Sequence, residues 1–562
     1  MRRSSQFAAA ATCFGLLLAG CTSDGDVESA RPTVAPSSSK PDAALTMIAD
    51  TDPAAAAIST SRALYDSSDV VVLAAPDDQM AITLGASAAV ALGVPMLLSM
   101  PIQQPAKALM SEFDRLGVTS VLAVGVGAAQ DLLPGDEVQI VAVAAESTAL
   151  AEVIGIELGQ AEPVAPEGIA AALAGLDPAA PVAVLPTDAT APVTSQDADS
   201  DNATMPEATL PEVTRPEAVT GTLVLATTTP ESLPGIATAR AAGVEVQVVT
   251  AEQLDPRSSS EAISTLSESK PDAVIALGAG YGAQQGLDWK LATATTGAQL
   301  PGGGQLLFQE RMFVALYGYT EGGSLGVLGE QDADGAVQRA IETAAEYDDL
   351  VPTQVVPAFE IIATVASEFA GPDGNYSSEA DISQLQPWVD AAGAAGIYVV
   401  LDLQPGRTDF LTQAKAYEPL LRLPHVGLAI DPEWRLLPSQ VHLDQIGFVS
   451  IEEVNAVVTW LADLTRTNAL PQKMLVLHQF QVGMIPDREL LDTSREELGI
   501  LIHVDGNGSQ GSKQDTWAVL HENPPANVYW GWKNFVDEDS PMLTPEQTID
   551  QALPTPELIT YQ

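Results

Sequence analysis

The sequence predicts an α/β protein: an N-terminal parallel-sheet α/β region of repeat-like character, then a C-terminal (β/α)8-type barrel. Three observations carry this. Continuous Val, Leu and Ile runs alternate with Ala-rich helix-like segments, the pattern of parallel strands covered on both faces. The stretch 221–280 echoes the stretch 70–125. From residue 311 onward, short apolar runs recur at the spacing of β–α units. A doubly wound open sheet is the rival arrangement for that second half.

The chain opens with Arg2 and Arg3, followed by an apolar run from Phe7 to Leu18. This reads as a secretory signal over 1–20, too short for the roughly 20 residues of a permanent membrane helix. Leu18-Ala19-Gly20-Cys21 resembles the lipobox of bacterial lipoproteins. The resemblance implies that Cys21 is lipidated and becomes the first mature residue, anchoring the chain to the membrane. More than one acyl chain makes such an anchor stable. The other cysteine, Cys13, lies in the removed segment, so the mature chain has no pair for a disulfide. Apolar cores must hold it together, and 562 residues suffice for two or three. Residues 21–44 are rich in Ser, Asp and Pro and read as a flexible tether. A net charge of −50 argues against nucleic acid and against a polybasic grip on anionic lipid.

Residues 45–300 form the first folded region. "VVVLAAPDDQMAITLGASAAVALGVPMLLS" (70–99) and "EFDRLGVTSVLAVG" (112–125) return as "GTLVLATTTPESLPGIATARAAGVEVQVVT" (221–250) and "LSESKPDAVIALGAG" (266–280). Each unit reads as strand, polar turn, Ala-rich helix, second strand, further helix and a strand ending in Gly. Gly93 and Gly243 stand where helices should end. The arrangement resembles the cell wall-binding repeat (type 2) of Gram-positive envelope proteins. Here Gly125-Val126-Gly127 stands where that family has a Gly-Gly pair, and "TTTP" replaces the acidic turn in the second unit. The resemblance implies a cell-wall polymer as partner and no catalytic residues. Between the units, 186–219 is dominated by Pro, Thr and acid and reads as an exposed insertion. Asp197, Asp199 and Asp201 have the alternate spacing of a calcium loop, but no Gly or distal Glu completes it.

Residues 301–562 differ in kind, holding all five His and six of the seven Trp. A catalytic site is therefore expected there. Seven strands are predicted: 311–319, 355–363, 396–406, 426–434, 474–480, 499–505 and 527–535, with "ELITYQ" (557–562) as a short eighth. Barrel enzymes place their sites at strand C-termini. Here those ends carry Glu360, Asp402, Asp431 and Glu433, His478, His503 and Asp505, then Trp530, Trp532 and Lys533.

The sharpest feature is Asp431-Pro432-Glu433-Trp434. Residues two apart on a strand face the same way, so both carboxylates can point into the barrel mouth. Two close acids cannot ionise freely, which makes one a proton donor near neutral pH. Glycoside hydrolysis needs such a pair, and Trp434, Trp530 and Trp532 offer flat faces for sugar rings. "LAIDPEW" on the fourth strand resembles the acid-bearing fourth strand of barrel glycosidases, including chitinase-like and lysozyme-like families. The resemblance implies Glu433 as acid, Asp431 as its partner and Asp402 as a supporting carboxylate, although "GLAI" stands where those families carry further acids. His478, His503, Asp505 and Glu360 join the substrate-contact candidates. Two His beside an acid could also hold Zn²⁺, but no H-x-H or H-E-x-x-H spacing supports it, and no metal or cofactor is assigned. No phosphate-binding Gly loop of the G-x-x-x-x-G-K-[ST] type is present.

Together these features predict a lipoprotein on the outer face of the cytoplasmic membrane, in a Gram-positive actinobacterium by its Ala-rich composition. It would bind cell-wall polymer and hydrolyse an envelope glycan through paired carboxylates. Two alternatives stay open: a non-catalytic glycan-binding lipoprotein with a degenerate barrel, and a metal-dependent hydrolase.

Overall fold

The computed structural model describes residues 31–99, 105–125, 128, 138–187 and 209–562. The expected signal, Cys21 and the trio Asp197, Asp199 and Asp201 lie outside the described residues. Among the described residues, no helix is long and apolar enough to cross a membrane.

The N-terminal region contains two four-stranded parallel sheets. Their strands are β1 (Leu45–Ile48), β2 (Val70–Ala74), β3 (Met96–Leu98), β4 (Ser120–Val124), β5 (Gln139–Val143), β6 (Thr222–Thr227), β7 (Glu245–Val249) and β8 (Ala273–Leu277). One sheet runs β3-β2-β4-β5 and the other β7-β6-β8-β1. The echo in the sequence is thus an echo in topology, since each unit sets its first strand between its second and third. The fourth place is taken by the following strand in one unit and by the preceding β1 in the other. Ala-rich helices Pro53–Leu64, Gln79–Leu92 and Leu233–Ala241 share one apolar core with strands of both sheets. Gly243 has φ +77°, and a Cβ there would lie 2.6 Å from that of Ala218, so only glycine fits this helix exit.

Two linker expectations need correction. Thr33–Val34 pairs in parallel with Glu212–Val213, and Ser37–Ser38 pairs with the strand Tyr65–Ser67. Residues 33–38 therefore belong to the fold rather than to a tether. The end of the acidic insertion is also docked: Arg215 donates to the carbonyls of Val90 and Ala91, satisfying the C-terminus of the helix Gln79–Leu92.

The second region is a closed barrel of eight parallel strands. They are β9 (Arg311–Gly318), β10 (Gln354–Ala366), β11 (Tyr398–Leu403), β12 (Val426–Ile430), β13 (Lys473–His478), β14 (Leu498–Val504), β15 (Tyr529–Asn534) and β16 (Leu558–Tyr561). β9 pairs with both β10 and β16, which closes the barrel and excludes the open sheet. Inward-facing side chains alternate along each strand. The lower interior is apolar, with Ala315, Ala358, Val400, Ala429, Val476, Leu501 and Leu558 in one buried cluster plugged from below by Leu300 and Leu307. Two residues further along, the same parity falls on Tyr317, Glu360, Asp402, Asp431, His478, His503 and Thr560. The polar layer is thus the continuation of the apolar one at the C-terminal end.

The N-terminal region meets the opposite end of the barrel. Arg257 and Arg466 lie over the Trp289 ring at 4.3 and 4.8 Å, and Lys290 pairs with Glu496 just before β14. Among the described residues, those lining the groove at the mouth with the polar layer all come from the barrel region.

Inside the barrel the Tyr398 hydroxyl accepts the backbone N–H of Met474 at 3.0 Å. Tyr398→Phe leaves that buried donor without a partner and should cost about 1–3 kcal/mol. Tryptophan fluorescence, which reports mainly the barrel, should show a lowered unfolding midpoint in urea; an unchanged midpoint would contradict this packing.

Candidate active site

The side chains of the polar layer organise around His478. Its Nδ1 pairs with Asp505 Oδ2 at 2.9 Å and its Nε2 with Glu360 Oε1 at 2.6 Å. Both His478 and Glu360 are fully buried. Burial alone would lower the His478 pKa, but Glu360 and Asp505 on either side hold it well above the usual imidazole range. Burial would likewise raise Asp505, yet its hydrogen bond to His478 keeps its carboxyl below the ordinary value. His503 lies beside His478, with ring centres 4.9 Å apart. Burial, followed by the charge on His478, pushes its pKa well down, so one imidazole is charged and the other neutral. Gly531 makes room for the His503 ring, since a Cβ there would come within 2.5 Å of it.

A second set joins from the other side of the barrel. The Tyr317 hydroxyl donates to Asp402 Oδ2 at 2.9 Å, and the Lys533 ammonium sits 3.5 Å over the Tyr317 ring. Asp402 is fully buried. Burial and then the neighbouring Glu360 raise its pKa to about 6.

Above this layer opens a groove of about 650 Å³, lined among others by Asp431, Glu433, Trp434, Asp505 and Lys533. Asp431 and Glu433 reach it differently from expectation. The strand stops at Ile430, and Asp431 caps a 3-10 turn over Pro432–Trp434, its side chain accepting the Glu433 N–H at 3.1 Å. Pro432 starts the turn because it needs no N–H partner. The two acids therefore converge through a turn rather than by strand alternation. The loop that follows is pinned where Arg435 meets Glu453 at 3.0 Å. The Glu453 N–H donates to the Ser450 side chain at the helix start.

The rim and floor acids differ. Burial, then the charge of Asp505, raises half-buried Glu433 to about 7. Burial, with Asp402, Asp505 and Glu433 nearby, raises Asp431 well above the carboxylate range. A proton-bearing Glu433 and an ionised Asp505 thus line one groove, the division of states that acid–base catalysis uses.

Of the residues expected to meet substrate, Asp431, Glu433, Trp434 and Asp505 line the groove. Asp402, Glu360, His478 and His503 lie buried in the layer beneath. Trp530 and Trp532 are elsewhere. They flank inward-facing Gly531 and so project outward, packing with Trp517 and Leu520 in a buried cluster. They offer no face to a ligand in the groove. Tyr317 and Thr560 carry no sequence motif, and Lys533 stands only at a strand end. The first two sit two positions beyond apolar inward Ala315 and Leu558, and Lys533 two beyond inward-facing Gly531, a signal readable from parity once the strands are placed.

No family model matches the chain, and no curated protein matches it. Solved structures with weak similarity to the chain include two cell wall proteins. Cwp6 from Clostridium difficile has a TM-score of 0.31 and 12% identity, covering 64% of this chain and 63% of that chain. Cwp8 from Clostridium difficile has a TM-score of 0.30 and 11% identity, covering 46% of this chain and 53% of that one. The chain thus matches less than two thirds of the length of either structure, and likeness at this level leaves function to the chemistry of the site.

Proposed function

We propose that the barrel hydrolyses a glycosidic bond of an envelope polymer, with Glu433 as proton donor and Asp505 as the carboxylate facing it. The observation that carries this is the convergence of Asp431, Glu433, Asp505 and Trp434 on one open groove. A sugar ring laid on Trp434 brings its glycosidic oxygen to Glu433, which gives up its proton as the bond to the anomeric carbon breaks. Positive charge developing on the sugar is met by Asp505, held ionised by His478, until a water oxygen bonds to the anomeric carbon and its proton returns to Glu433. Burial and the charge of Asp505 keep the proton on Glu433, while burial with Asp402, Asp505 and Glu433 nearby holds Asp431 neutral. The N-terminal units, by their resemblance to cell wall-binding repeats, would hold the polymer, with Cys21 anchoring the chain to the membrane.

Purified protein should release reducing sugar from cell wall. Glu433→Gln should lower kcat/KM by about 10²–10⁴ without loss of fold, checked by circular dichroism. Retained polymer binding with no turnover by the unaltered protein would instead identify a binding module.

The pH dependence follows from Glu433. The donor must be protonated, so kcat/KM should fall as pH rises through about 7, and Glu433→Gln should lack that limb. Stability moves in the same direction. A carboxyl raised in the folded state binds more protons there than when unfolded, so its contribution is fully present at low pH. That contribution is lost as pH rises from the ordinary carboxylate value through about 7. Thermal unfolding should therefore show Glu433→Gln gaining on the unaltered protein between pH 5 and pH 8; a constant difference would refute the raised value.

A further inference from the structure

Under the groove lies a cluster that hydrolysis by Glu433 and Asp505 does not use directly. Glu360, His478 and His503 offer ligand atoms all within 4.8 Å of one another, and all three are buried. Three neighbouring polar atoms have no hydrogen-bond partner: Glu360 Oε2, Asp402 Oδ1 and His503 Nδ1. Each belongs to a fully buried side chain. A buried polar atom left unsatisfied forfeits the hydration it had in water, and three at one point call for a common partner.

We propose that this cluster is a divalent-cation site, ligated by His478 Nε2, His503 Nδ1 and Glu360, with Asp402 Oδ1 as fourth donor. Two imidazoles with carboxylate oxygens suit Zn²⁺. The outer contacts are those of a metal centre. Asp505 holds His478 Nδ1 at 2.9 Å, Thr560 Oγ1 holds His503 Nε2 at 3.1 Å, and the Tyr317 hydroxyl holds Asp402 Oδ2 at 2.9 Å. Each fixes the far side of a ligand and leaves the near atom aimed at the cluster.

The distances say what must move. His478 Nε2 to Glu360 Oε1 is 2.6 Å, His503 Nδ1 to Glu360 Oε2 is 4.0 Å, and His478 Nε2 to Asp402 Oδ1 is 3.9 Å. Ligand atoms on one tetrahedral Zn²⁺ stand about 3.3–3.5 Å apart. A shift of the Glu360 carboxylate away from His478 and toward His503 moves both of its separations toward this range. The cation then replaces the single proton between His478 and Glu360, which leaves to solvent. His478 keeps its Nδ1 proton on Asp505, so the carboxylate at the groove stays ionised.

The test is a titration of full-length, chelator-stripped protein with Zn²⁺ and, separately, with Co²⁺. One equivalent should bind, with release of protons, and Co²⁺ should give the visible absorption of tetrahedral coordination. His503→Ala should weaken binding at least about tenfold and abolish the tetrahedral spectrum. Glu360→Gln, which keeps shape and volume, should do the same if His503→Ala fails to fold. Absence of binding would overturn the site. So would an octahedral Co²⁺ spectrum indifferent to both variants, since surface carboxylates would then be taking the metal. None of these readouts depends on sugar release, so the site and the hydrolase proposal fail independently.

Discussion

The arrangement at the barrel mouth depends on one buried interaction, the imidazole of His478 held between Glu360 and Asp505. Three groups that water would otherwise solvate are enclosed together, and breaking such a set by removing one partner is expensive because it strands a buried charge. The contacts also join strands. Glu360 is on β10, His478 on β13 and Asp505 just past β14, so the chain of hydrogen bonds crosses the interior and fixes the upper layer as one object. Asp505 owes its ionised state to that chain, and Glu433 in turn owes part of its raised pKa to Asp505.

This layering follows from alternation. A barrel this narrow is filled by its own side chains, and the apolar cluster below the site does the filling. Tolerance for polarity begins only where the strands end and the groove admits water. Acids at that boundary are graded by depth: Asp402 is sealed and tied to Tyr317, Asp431 is buried beneath the groove surface, and Glu433 is half-open. Depth sets access rather than protonation, since sealed Asp402 is raised to about 6 and half-open Glu433 to about 7; Glu433 is the most accessible of the three.

Much of this was legible in the sequence because buried parallel strands write themselves as unbroken apolar runs. All eight barrel strands and the paired N-terminal units could be read that way. The site was harder, because strand ends do not show which way the chain turns. Pro432 converts an expected strand continuation into a 3-10 turn, so Asp431 and Glu433 converge by a different route. Trp530 and Trp532 misled because residue type suggested sugar stacking, while their parity beside Gly531 sends them into the outer core. Thr33–Val34 looked like tether because its composition is polar, and pairing with the distant Glu212–Val213 leaves no local trace.

The central claim, that Glu433 delivers a proton to a glycosidic oxygen in the groove, is tested most directly by a crystal structure. The Glu433→Gln protein should be soaked with oligosaccharides prepared from cell wall. The account predicts a sugar ring on Trp434, with the glycosidic oxygen within hydrogen-bond distance of residue 433 and the anomeric carbon facing Asp505. A saccharide bound outside the groove, or lying in it with the glycosidic oxygen turned away from residue 433, would contradict the account.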